Sequence, residues 1–307
     1  MQEVNSLKTG LKSILWSVAA LLLLLSIAVP GLNTLAAAVM MVPTVILYTM
    51  LSKRAFTLHM TAVYGIGVLI LGLPALIVGL FFLIPSMVMG HYYRIGAPAR
   101  KVLTATILTL LAELLLELAM FDVLFNFSLL HEIRKVITTT TENLRADGLM
   151  PSVWSAEVTE TYIQYLIHSI PMAFITVSFL LAVIAHAIAA PALRASGLSI
   201  AKLQKAREWR LPRIFVFYYL IALVADMITP DTGTSFMTVV LLNLIPLMQI
   251  AFTIQAMGLF FYIAHERKWN RAVPVLLSML VAIFLHPLSL IGVFDAAFPI
   301  RKAFKKS

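Results

Sequence analysis

Glu113 and Glu117 lie four residues apart within Val102–Met120, an apolar run that carries no other ionisable side chain. On a helix, positions i and i+4 share a face, so both carboxyls project together. A carboxylate at bilayer depth costs several kcal/mol unless it is paired or protonated. Two such groups side by side share protons rather than both ionising. They can carry a proton or receive the cationic group of a substrate. The competing assignment is structural, with two protonated carboxyls hydrogen-bonding across helices.

Other polar side chains predicted at membrane depth are His59, His168, His186 and His286, with Asn243, Gln249 and Gln255. The candidate substrate- or proton-binding set is therefore Glu113, Glu117, His168, His59, Gln255 and Asn243. His168 and His59 would be hydrogen-bonding neighbours of the acids, and Gln255 a cavity amide. A lone intramembrane histidine or amide also serves as an ordinary interhelical hydrogen bond. Gln255 and Gly258 share a face, which suits close helix packing. Pro85, Pro171 and Pro246 fall inside apolar runs and predict kinks.

The elements that hold these groups follow from composition. Of 307 residues, 61% are hydrophobic and 12% charged, about half the charge of a soluble domain. Apolar runs long enough for about 30 Å of hydrocarbon recur throughout. Candidate helices are Lys12–Val29, Leu32–Leu51, Phe56–Leu73, Ala75–Tyr92, Val102–Phe125, Tyr162–Ala190, Arg213–Thr229, Phe236–Ala264 and Arg271–Phe298. Pro30-Gly31, Gly72-Leu73-Pro74, Gly96-Ala97-Pro98 and the Pro230–Gly233 turn separate them. No run alternates as a barrel strand does. The fold class is all-α, a polytopic membrane helix bundle of eight to nine hydrophobic segments. The first segment follows Lys8 and Lys12 without a convincing cleavage site, so it reads as an uncleaved helix.

Basic residues orient the bundle. Only Arg134, Lys135 and Arg145 fall in the long segment 127–161, where five acids outnumber them, so 20 of the 23 lysines and arginines collect on the other side. That side is the cytoplasm by the positive-inside rule, with the N-terminus there. This predicts a multi-pass membrane protein. The positive net charge is met by anionic lipid, with no need for nucleic acid. Arg271–Phe298 is long for one span and is broken at His286-Pro287: a simple crossing would put the basic tail outside, against the rule, whereas a tight or re-entrant hairpin would return it to the cytoplasm, the placement favoured. The stretch from Arg194 to Arg213, with Trp209, reads as an interfacial amphipathic segment or a partner dock. Arg207, Trp209, Arg210 and Arg213 are its candidate lipid or partner contacts. Segment 127–143 has apolar residues at helical spacing and reads as a surface helix or a gate.

Enzyme signatures are missing: there is no HExxH helix, no GxSxG elbow and no Walker loop. Membrane-embedded glutamate proteases use adjacent glutamates followed by an arginine, which Val102–Met120 lacks. With no cysteine, thiol catalysis and Cys-ligated metals are excluded. Neither a cofactor nor a metal is expected.

The C-terminal third carries a distinctive pattern. Arg207-Glu208-Trp209-Arg210-Leu211-Pro212 opens a helix, Asn243 and Gln255…Gly258 follow, and Ile291-Gly292-Val293-Phe294-Asp295…Phe298…Arg301-Lys302 closes it. This resembles the YybS-like family of bacterial integral membrane proteins, which is similar to the substrate-binding S-components of energy-coupling factor transporters. The resemblance implies an S-component-like six-helix core, residues 1–192, with the external amphipathic segment 127–161. Residues 193–307 would add a basic cytoplasmic linker and C-terminal helices. It also implies small-residue docking patches, for which Gly72 to Gly79 and Ala185 to Ala189 are candidates. No residue is carried over as a vitamin ligand.

Two functions from different classes follow. The first is a small-molecule transport or substrate-binding subunit, with Glu113 and Glu117 taking a small cationic substrate or a proton. The second is a membrane scaffold that docks a membrane or cytoplasmic protein partner through its basic loop. An intramembrane enzyme would need Glu and His side chains to converge around a metal or water.

Overall fold

Prolines and glycines decide where the helices break. The computed structural model describes residues 2–125, 128–151, 153–229, 235–270, 272–283 and 285–304, and no strand occurs among them. In chain order the helices are α1 (Gln2–Ser26), α2 (Asn33–Val39), α3 (Met41–Met50), α4 (Lys53–Leu71), α5 (Leu73–Arg94), α6 (Ala99–Phe125) and α7 (Leu129–Ala146). There follow α8 (Ala156–His168), α9 (Ile170–Ala195), α10 (Ile214–Ile228), α11 (Phe236–Glu266), α12 (Ala272–Ile283), α13 (Leu285–Ala297) and α14 (Ile300–Phe304). One 3-10 turn, Ala206–Glu208, precedes α10. Gly72, at φ +75°, lets α4 reverse into α5 where a side chain would be strained. Ser52, Ser128 and Ser155 cap α4, α7 and α8 by accepting from the amides of Ala55, His131 and Val158.

Six helical segments among the described residues are long and apolar enough to cross a membrane: Asn33–Met50, α4, α5, Ala99–Met120, α9 and α11. Gly10–Ser26 and α10 are apolar but shorter. The all-α polytopic bundle is as expected, although several spans divide differently. Leu32–Leu51 forms two pieces that abut at Met40. Tyr162–Ala190 is not one helix: it breaks at Ser169, because Pro171 has no amide to continue the ladder. Pro171 therefore opens α9 instead of kinking it, whereas Pro85 and Pro246 do lie inside α5 and α11. The Pro230–Gly233 turn lies outside the described residues.

The chain divides into two compact units, Met1–Phe125 with Phe174–Leu203, and Asn126–Ala173 with Gln204–Ser307. In the first unit, α3 is buried from Met41 through Tyr48, and Val45, Met89, Val102, Leu110, Ala182 and Ala185 close the core. The Tyr93 hydroxyl and His186 Nδ1, 2.7 Å apart, join α5 to α9 inside it. Arg94 donates to the carbonyls of Tyr48 and Leu51, which satisfies the free C-terminal end of α3.

In the second unit α11 is the centre, packed by α10, α12, α13 and the 3-10 turn. Gly292 sits against Phe252, Asp295 against Gln255 and Arg301 against Tyr262, so α13 runs parallel to α11. The 12 residues of α12 rise about 18 Å, short of a full crossing of about 30 Å. Because Arg301 lies beside the C-terminal part of α11, near where α12 begins, α12 and α13 form a hairpin against α11. The end of α13 and the start of α14 thus lie beside the basic linker, whose Arg207 and Trp209 carbonyls Arg301 holds. The side chain of His286 lies outside those described. From Gln204 to Arg213 the basic linker is irregular apart from the 3-10 turn, and Arg301 and Gln255 of this unit bind its Arg207 and Trp209 carbonyls and its Leu211 amide.

Candidate functional site

Glu113 and Glu117 face a groove between α5 and α6. Ile77, Leu80, Phe81 and Ile84 line one wall, and Glu113, Leu116, Glu117 and Met120 the other. Each wall is an i, i+3, i+4, i+7 stripe, the row that one helix presents to a neighbour. The groove encloses about 350 Å³. Both carboxyl oxygens of Glu113 are buried and have no hydrogen-bond partner. The walls remain open at their outer edge, where Leu116 is 57% and Leu80 45% exposed. The surroundings of the acids are therefore an apolar cleft that opens sideways, and no polar side chain other than the two acids lines it.

The other predicted residues do not gather there. His59 Nδ1 is 2.7 Å from the Ser17 hydroxyl and joins α4 to α1. His168, Asn243 and Gln255 belong to the second unit. Asn243 has a clear structural task at the α8–α9 break. Its Oδ1 accepts from the Met172 amide at 2.8 Å, and its Nδ2 donates to the His168 carbonyl at 2.8 Å and to Val239 O at 2.7 Å. One side chain thus replaces the ladder bonds that Pro171 interrupts. His168 takes part through its carbonyl, not its ring.

Gln255 leads to a second constellation, built from the residues of the C-terminal sequence pattern. Its Nε2 donates to Asp295 Oδ2 at 2.5 Å, and its Oε1 accepts from the Leu211 amide at 2.9 Å. Asp295 in turn holds Arg301: Nη2 to Oδ2 is 2.7 Å, and Nε lies 3.1 Å from both carboxylate oxygens. The two side chains are 1% and 3% exposed, a fully buried ion pair. Arg301 spends its remaining donors on the carbonyls of Arg207 (2.7 Å) and Trp209 (2.9 Å), while Tyr262 donates to the Arg301 carbonyl at 3.1 Å. A β-carbon at Gly258 would stand 3.0 Å from Ala206 O, so glycine is what lets the loop lie this close.

Arg207 and Trp209 therefore serve through backbone carbonyls. The Arg207 side chain reaches Glu208 at 3.8 Å, and the Trp209 indole donates to Gln204 O at 3.0 Å. Arg210 and Arg213 stay exposed beside a cavity of about 320 Å³. Asp295 and Arg301 were not among the candidate site residues. The usable signal was an acid closing an apolar helix with an arginine six positions later.

Outside the membrane segments, Arg134 on α7 pairs with Glu160 on α8. The Gln164 amide and then Arg134 hold the Glu160 carboxyl below the usual carboxylate range.

Fold and composition define an all-α polytopic membrane protein. A family model described as "Predicted membrane protein (DUF2232)" matches residues 17–296, and the chain belongs to that family. It is similar to the uncharacterized protein YybS of Bacillus subtilis (strain 168), 24% identical over 320 residues that span 99% of this chain and 100% of the relative. No solved structure matches.

Proposed function

We propose that the chain is a small-molecule transport or substrate-binding subunit of the bacterial inner membrane, in which Glu113, with Glu117 beside it, receives a proton or the cationic end of an amphiphilic substrate. The observation that carries this is the buried Glu113 carboxyl with neither oxygen partnered, in a groove that is otherwise apolar. A buried acid in hydrocarbon surroundings is expensive to keep without a counter-group. A ligand with an apolar body and a cationic head supplies what is missing. Its body packs against Ile77, Phe81 and Ile84, and its head makes charge-assisted hydrogen bonds to the carboxyls. The sideways opening suits a ligand that arrives from the lipid phase. In this reading residues 1–192 supply the S-component-like core and the N-terminus is cytoplasmic, which the distribution of basic residues supports.

The test is equilibrium binding of a dansyl-labelled alkylamine, and of its uncharged amide analogue, to full-length protein in nanodiscs. The amine binds wild-type protein and binds Glu113→Gln about tenfold more weakly, the effect of one charged hydrogen bond. The amide does not distinguish the two proteins. Equal amine binding by both, with helix content intact, rejects the role.

A further inference from the structure

Arg210 lies between two anchored neighbours. The Trp209 carbonyl is held by Arg301, and the Leu211 amide by Gln255. Backbone fixed on both sides of an exposed arginine is preorganised, so little ordering remains to oppose binding. The arginine projects beside a cavity of about 320 Å³ that Arg213, Lys302, Arg301, Asp295 and Phe298 also line. That volume lies within the usual range of small-molecule sites, about 300–1,000 Å³.

Charge makes the cavity selective. Four cationic side chains and one acid border it, a balance of +3. The acid is already engaged, since Asp295 takes Arg301 and Gln255. Arg210, Arg213 and Lys302 form no ion pair among the described residues. Guanidinium forks match the oxygens of a phosphate group in pairs, and a lysine beside them adds a point charge.

Position suggests where such a group comes from. Arg213 immediately precedes α10, whose Ile214, Phe217, Tyr218 and Ile221 are 47–65% exposed. The cationic cluster thus stands where polar loop meets an outward-facing apolar helix. That is the level of lipid headgroups, and juxtamembrane basic clusters are drawn to anionic ones.

We propose that Arg210, Arg213 and Lys302 form a binding site for a phosphate group, presented by an anionic phospholipid headgroup or by a soluble phosphate. The buried Asp295–Arg301 pair and Gln255 position the site without contacting the ligand. It is independent of the Glu113 groove, so either can fail alone.

The experiment uses full-length protein in neutral detergent, with inorganic phosphate, dioleoylphosphatidylglycerol and dioleoylphosphatidylcholine as separate probes. Native mass spectrometry reads retained lipid, and thermal unfolding reads stabilisation by each probe. Phosphatidylglycerol retained over phosphatidylcholine by about tenfold or more, and lost in the triple variant Arg210→Gln/Arg213→Gln/Lys302→Gln, supports the site with a lipid source. Stabilisation by inorganic phosphate that the triple variant lacks supports it with a soluble source. The three side chains are exposed, so the triple variant keeps the buried ion pair; Arg213→Gln alone, expected to weaken binding about tenfold, checks it independently. Absence of both effects in wild-type protein overturns the proposal. So does an undiminished effect in the triple variant.

Discussion

Gly292 lies so close to the Phe252 carbonyl oxygen that a β-carbon at position 292 would fall 1.8 Å from it. The obstacle is backbone on α11, not the flexible end of a side chain, so α13 would have to move as a unit. Gly292→Ala is expected to destabilise the protein by about 3 kcal/mol, the upper end for overpacking. Gly258→Ala, with 3.0 Å to Ala206 O, should cost less. Thermal unfolding in detergent checks both, and equal midpoints for the two variants would contradict this packing.

Removing one partner of the buried Asp295–Arg301 pair leaves an uncompensated charge. Asp295→Asn or Arg301→Gln should each cost about 3–5 kcal/mol, and a joint apolar replacement of both should recover much of the loss. Loss of Arg301 also frees the Arg207 and Trp209 carbonyls. Limited trypsin digestion should then cut at Lys205 and Arg207 in the single variants faster than in the parent protein.

Asn243→Leu leaves the Met172 amide and the His168 carbonyl without partners at the α8–α9 break. The expected cost is about 1–3 kcal/mol per orphaned group. Hydrogen exchange should accelerate at Met172 and its neighbours while the core of the first unit stays protected.

Sidedness can be measured directly because the chain has no native cysteine. Gln204→Cys and Ala303→Cys should react with an impermeant maleimide from the same side of sealed vesicles. Labelling from opposite sides would mean that α12 and α13 together cross the membrane.

The Glu160 side chain is exposed, so its effect is local. Its carboxyl is lowered by Gln164 first and Arg134 second, so the contribution is present above the unfolded value of about 4.3 and fades as pH falls through the folded one. Exchange between α7 and α8 should therefore loosen on acidification below about pH 4. Glu160→Gln should abolish that pH dependence.

Much of this architecture was legible in the sequence. Apolar run length and the glycine and proline turns are local signals that need no distant partner to be read. Partnerships between distant residues were not legible. Glu113 and His59 look like neighbours in depth, yet depth says nothing about which helix face meets which. Arg207 and Trp209 read as interfacial side chains because composition cannot reveal that their carbonyls are the groups in use. Asn243 read as a substrate- or proton-binding candidate, although the break it bridges follows from Pro171 seventy-two positions earlier.

The Arg301 clasp also has a bearing on biogenesis. The residue that secures Arg207 is translated 94 positions after it. During synthesis the basic segment emerges first and stays unfastened while α10 to α13 are being made. Final locking of this half of the molecule is therefore a late event. A nascent chain stalled before residue 301 would display that segment to every protease and anionic surface within reach.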